Sequence, residues 1–166
     1  NAPHLKQWQI ETMDWISQYY FCAGHQTIKM FLPIGLIKKK RKIELPDNQN
    51  TPYDFNPEHT LSEDQKTTIQ EIKKTTKPII LLKGITGSGK TEIYLHLADE
   101  QLKDEKQVLM LIPEISLTPQ TVERFQKHFK QKISVIHSHL TASQKQKEWL
   151  NIHNGTSKII IGSRSA

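Results

Sequence analysis

The chain has 166 residues, of which 36% are hydrophobic and 24% charged. That suits a soluble globular protein of one ordinary domain, or one plus part of another. Its net charge of +6 favours polyanionic partners, nucleic acid or nucleotide. A single cysteine, Cys22, excludes a disulfide framework within the chain, and no run approaches the roughly 18 apolar residues of a membrane span. The first residues, Asn1-Ala-Pro-His-Leu-Lys6, carry neither a Met nor an apolar leader segment, and the chain stops at Ser163-Arg-Ser-Ala166 just after a strand-like run. Both ends give the expectation of a piece cut from a longer protein.

In chain order, residues 5–22 are predicted as a helix. Met13, Ile16 and Tyr20 form one stripe, and Trp8, Trp15 and Tyr19 a second. Such spacing favours aromatic residues packed in a core over a base-stacking platform, and Cys22 is expected to be a small packed residue. Gly24 is expected to stop this helix. A second helix over about 26–32 ends at Pro33. The run Lys38-Lys-Lys-Arg-Lys42 then reads either as the wing of a small winged-helix module touching phosphates or as a solvated charged hairpin. Residues 1–45 are therefore expected to be a partial winged-helix DNA-binding domain. Residues 46–60, crowded with Pro, Asn and Asp, are expected to be a linker.

From residue 61 the pattern alternates between helix and strand. Ser62 caps a helix with Gln65 at the third helical position, a capping box, and Ile69 and Ile72 mark its buried face. Four buried strands are predicted, at 78–83, 107–112, 133–136 and 158–162. Between them lie helices at 90–103, 116–130 and 142–153, the last ended by Gly155. Repeated units of this length predict an α/β fold with a parallel sheet and helices on both faces, the ligand lying at the carboxyl ends of the strands. The segments 84–91, 113–120, 137–140 and 162–166 all fall at such ends.

The first of these segments, Gly84-Ile-Thr-Gly-Ser-Gly-Lys-Thr91, fits the phosphate-binding pattern G-x-x-x-x-G-K-[ST] at every fixed position. Gly84, Gly87 and Gly89 let the backbone curl so that N–H groups point inward, with no side chain in the way of a phosphate. Thr86 and Ser88 lie in the same loop. The helix opening at Lys90 adds the positive end of its dipole. Lys90 can reach the β- and γ-phosphates of ATP as a point charge, and Thr91 can place its hydroxyl on Mg2+. The pattern alone leaves three classes open. They are a nucleotide-driven DNA motor, another P-loop enzyme such as a nucleotide kinase, and a DNA-binding module without ATP chemistry. A kinase needs a lid of arginines, and only Arg124 and Arg164 follow Lys90.

Taken together, Gly84 to Tyr94, Pro113-Glu-Ile-Ser-Leu-Thr-Pro-Gln120, Ile136-His-Ser-His-Leu140 and Ile161-Gly-Ser-Arg-Ser-Ala166 resemble successive motifs of the PriA family of primosomal replication-restart helicases. The resemblance is strong over about 61–166 and weak over 5–45. It implies a RecA-like, superfamily 2 DNA helicase lobe, driven by ATP and Mg2+ and moving 3′ to 5′ on single-stranded DNA. It implies that 61–166 is the first part of the first lobe. By resemblance, Gln65 reads the adenine edge, its capping box being the competing role. Ser116, Thr118, Ser163 and Arg164 contact the DNA backbone by the same resemblance.

Forked DNA, primosome and helicase-loading proteins and single-stranded DNA-binding protein are the implied partners, in the bacterial cytoplasm near the nucleoid. The family's Zn2+ ligands have no counterpart here. His139 stands where the family has Gly, and the resulting His137-x-His139 pair lacks the further ligands a metal needs. Ser163 replaces a Thr and keeps the hydroxyl. The family's Asp-Glu-Glu-His motif follows the last matched segment and is absent from these 166 residues, so the piece alone is expected not to hydrolyse ATP.

Overall fold

The computed structural model describes residues 5–33, 55, 57, 60–113, 119–129 and 131–163. Six helices and three strands occur among them: α1 (Gln7–Tyr19), α2 (Gly24–Phe31), α3 (Glu63–Lys74), α4 (Lys90–Lys103), β1 (Val108–Leu111), α5 (Pro119–His128), β2 (Ile133–Ile136), α6 (Ala142–His153) and β3 (Ile159–Gly162). By their contacts, α1, α2 and residues 139–150 fall in one compact unit, and the remaining described residues in another.

In the first unit, α1 and α2 are separated by a tight turn at Phe21, whose φ is +51°. Gly24 is the first residue of α2, not the stop of α1, because Phe21 has already reversed the chain. Met13 is the buried residue of α1. The aromatic stripe is not core: Trp8, Trp15, Tyr19 and Tyr20 are all more than half exposed, with Trp15 stacked on Tyr19 at 5.0 Å. A helix has one face toward its neighbour, and here Met13 takes it, which turns Trp8 and Trp15 to solvent. Cys22 is half-buried, its Sγ 3.9 Å from the Ile16 carbonyl. Trp149 of α6 donates its indole N–H to the carbonyl of Phe31.

The second unit is built on a parallel sheet in the order β1-β3-β2. Val108, Ile159 and Ile133 lie at one level, and Leu111, Gly162 and Ile136 at another. All three strands therefore end at one edge. Parallel β-branched runs want burial on both faces, and β3 has it: Ile159, Ile160 and Ile161 are all buried. Leu95, Ala98 and Leu102 of α4 and Phe125 of α5 pack with Phe129, Ile133, Ile159 and Ile161 in the core. Phe55, inside the stretch read as a linker, joins them through an isolated bridge to Phe129.

The expected strand at 78–83 does not form. A ladder needs a neighbour, and no strand among the described residues lies beside this run. Ile79 and Leu81 are 85% and 90% exposed. The other three expected strands form within one residue of their expected limits.

Replacing Ile161 with Ala removes packing from a fully buried site and is expected to cost about 2–5 kcal/mol. Leu109, 57% exposed on β1, is expected to cost about 1 kcal/mol or less on the same change. Urea unfolding of the chain followed by circular dichroism separates the two. Equal costs would contradict the central place of β3.

Candidate nucleotide site

Residues 84–91 wrap into the first turn of α4. Gly89 is the N-cap of that helix and sits at φ +77°, and Gly87 at φ +83°. Any other residue would be strained at these angles. At Gly89 a Cβ would also meet the end of the Gln65 side chain, which would have to move. The Glu92 N–H bonds the Gly89 carbonyl, and the Ser88 N–H bonds the Ile85 carbonyl. Lys90 folds back into the loop, its Nζ donating to the carbonyls of Gly84 at 2.7 Å and Ile85 at 2.6 Å. An ammonium has three donors, so one is left to point elsewhere. The first N–H groups of α4, the dipole behind them and Lys90 together fit a polyphosphate.

Gln65 enters from α3. Its Oε1 accepts from the Ser62 N–H at 2.8 Å while the Gln65 backbone N–H donates to the Ser62 hydroxyl, so the capping box forms. Its Nε2 donates to the Gly89 carbonyl at 3.3 Å. The cap and the loop are thus fastened by one amide. That amide keeps a second N–H and a second lone pair, a donor and an acceptor side by side. A cavity of about 600 Å3 lies over these groups, lined by Thr60, Gln65, Thr86, Gly87, Gly89, Lys90, Thr91, Glu92 and Arg124.

Three lining residues, Thr60, Glu92 and Arg124, were not among the expected site residues. Glu92 is buried in the first turn of α4, and Arg124 of α5 donates to its Oε1 at 2.5 Å. The ring Nε2 of fully buried His128 lies 3.8 Å from the other carboxylate oxygen. Its Nδ1 lies 2.7 Å from the Arg124 carbonyl, which makes Nδ1 the protonated nitrogen. The sequence offered one hint: Glu92 directly follows Thr91 in a helix whose other buried residues, Asp99 apart, are apolar.

One turn further along α4, His96 meets the Phe55 ring edge-on at 5.1 Å, and its Nε2 is buried without a hydrogen bond. Burial lowers its pKa from the ordinary 6.5. The carboxylates of Glu92 and Glu100 oppose that shift.

Residues 62–166 match the DEAD/DEAH box helicase family. The chain belongs to that family. Its α/β unit is accordingly RecA-like, the fold of helicases that in general use a nucleotide and Mg2+. The chain is similar to the replication restart protein PriA of Haemophilus influenzae, with 57% identity over 52% of this chain and 12% of the relative. It is similar to that of Bacillus subtilis, at 36% over 84% and 18%. It is also similar to that of Helicobacter pylori J99, at 35% over 98% and 24%. The chain thus spans at most about a quarter of the length of these relatives.

Of the expected DNA contacts, Ser116, Thr118 and Arg164 lie outside the described residues, as does the basic run 38–42. Ser163 lies at the carboxyl edge of the sheet, its N–H on the Ile136 carbonyl. It is 1% exposed, so its hydroxyl is out of contact with solvent. Among the described residues no group of three His, Cys, Asp or Glu side chains could hold a metal, and no helix is long and apolar enough to cross a membrane.

His96 yields a pH prediction. Its folded pKa is lowered, so below about 6.5 the unfolded chain binds the proton more readily. Stability from this residue is present above about pH 6.5 and is lost as the pH falls through the folded value. Thermal unfolding of wild type and His96→Gln between about pH 7.5 and 5.5 is expected to show a shallower loss on acidification in the variant. Identical slopes would contradict the assignment.

Proposed function

We propose that the chain is the nucleotide-holding part of an ATP-dependent 3′-to-5′ DNA helicase that restarts stalled replication forks and assembles the primosome. The observation that carries this reading is the loop 84–91 opening α4 with Gln65 fastened to Gly89. The names of the relatives, replication restart proteins, point the same way.

In this reading Gly87, Gly89 and the first N–H groups of α4 bind the phosphates. Lys90 exchanges a loop carbonyl for a β- or γ-phosphate oxygen, a charge-assisted bond in place of a neutral acceptor. The Thr91 hydroxyl would hold Mg2+, and the ion would supply neutralisation of the phosphate charge. Gln65 offers its remaining donor and acceptor to the adenine edge. Ser116, Thr118 and Arg164 follow strand ends and contact the DNA backbone, with Ser163 joining them only if its segment opens. Residues 1–45 add a DNA-binding module through the stretch 46–60. Forked DNA, helicase-loading proteins and single-stranded DNA-binding protein are the partners, in a bacterial cytoplasm.

Glu92 is the one carboxylate among the described residues that line the cavity, and Arg124 holds it. It is therefore poorly placed to activate water. The 166-residue chain is expected to bind ATP without turning it over at a useful rate. A DNA-stimulated ATPase activity of the isolated chain would contradict that.

Changing Lys90 to Ala in the full-length parent tests the reading as a whole. The variant is expected to lose unwinding of forked DNA, by a hundredfold or more on the order of a lost phosphate cation, while keeping fork binding. Unwinding at the wild-type rate would overturn the motor assignment.

A further inference from the structure

The pair Glu92–Arg124 is unexpected beside a phosphate loop. Glu92, its side chain 6% exposed, is buried in the first turn of α4, the place where a polyphosphate is held in this reading. A bare carboxylate there would compete with the phosphates for the helix dipole and repel them. Arg124 cancels that charge, and it does so with one of its five N–H groups as far as the carboxylate bond requires. Its side chain is 41% exposed, and the residue lines the same cavity as Gly87, Lys90 and Thr91. Its Nε is buried and makes no hydrogen bond, so the guanidinium is placed by Glu92 at its outer end and by packing along its stem. The buried imidazole of His128, one turn along α5 with its Nδ1–H on the Arg124 carbonyl, packs behind Glu92, its Nε2 3.8 Å from the far carboxylate oxygen, which makes no hydrogen bond. The result is a half-exposed arginine, oriented by a buried acid, in the wall of the nucleotide cavity.

We propose that Arg124 is a nucleotide-binding residue, a second cation of the site beside Lys90, and that Glu92 is the residue that positions it. This rests on the reading of 84–91 as a nucleotide site. Its ligand is the anionic part of a nucleoside di- or triphosphate. A guanidinium suits the task because it can serve the carboxylate and a phosphate oxygen at once through separate N–H groups, which a lysine cannot do in the same geometry. Arg124 begins the second turn of a helix, α5, that carries no part of the phosphate motif. The site would therefore sense the position of α5 as well as of α4.

Binding of fluorescent N-methylanthraniloyl-ADP with Mg2+ to the 166-residue chain tests this, with the melting temperature of each variant measured without nucleotide. Arg124→Met alone leaves Glu92 buried and unpaired and can unfold the chain, so the double variant Glu92→Gln/Arg124→Met carries the decision. Removing both charges of a buried pair is tolerated far better than removing one. The double variant is expected to melt close to wild type and to bind the probe about tenfold or more weakly, the loss of one charge-assisted hydrogen bond. Arg124→Lys is expected to remain weak. Wild-type affinity in the double variant would show that Arg124 merely neutralises Glu92 and would overturn the proposal, with the nucleotide site itself intact. If Lys90→Ala and wild type alike fail to bind the probe, the nucleotide site falls and this proposal falls with it.

Discussion

Ile159, Ile160 and Ile161 of β3 are buried, and their backbones bond β1 on one side and β2 on the other. Little else in the second unit can move without disturbing them. Parallel pairing on both edges brings the ends of three strands to one level, so that Ile112, His137 and Ser163 begin the segments that leave the same edge. The helices follow from the same burial. Leu95, Ala98 and Leu102 must cover Ile159 and Ile161, which fixes the axis of α4 and hence the direction in which its first N–H groups point. The phosphate loop is aimed by a hydrophobic contact several residues away from it.

That division of labour explains how α4 carries charge at one end and core along its length. Lys90, Thr91 and Glu92 lie in its first turn, where the dipole favours anions. The burial of Glu92 there is tolerable because Arg124 closes on one of its oxygens from α5. Gln65 does the corresponding work from α3, joining a helix cap to the loop through Gly89. Three helices thus meet at the loop, each through a polar side chain with a definite partner.

Much of this was legible in the sequence because it rests on local rules. The capping box at Ser62, the limits of α4 and α6 and the stop at Gly155 depend on residues within a few positions of one another. So does the glycine pattern of the loop. The misreadings share a different cause. Residues 78–83 have the composition of a buried strand, but a strand exists only with a neighbour, and none of the described strands lies beside it. Trp8, Trp15 and Tyr19 have helical spacing, but which stripe is buried depends on the partner helix, and Met13 won. Phe55 falls in the stretch 46–60, expected to be a linker. Its place between His96 and Phe129 comes from contacts far along the chain. The Glu92–Arg124 pair, thirty-two residues apart, is of the same kind.

The central claim is that the loop opening α4 holds the phosphates of a nucleotide while Gln65 and Arg124 face the same ligand. Heteronuclear NMR of the 15N-labelled chain titrated with Mg-ADP reads this most directly. The largest shifts are expected at the backbone amides of Gly87 to Thr91, with the Gln65 side-chain amide and the Arg124 guanidinium moving at the same nucleotide concentration. Saturable shifts confined to other parts of the chain, with 87–91 unchanged, would contradict the account.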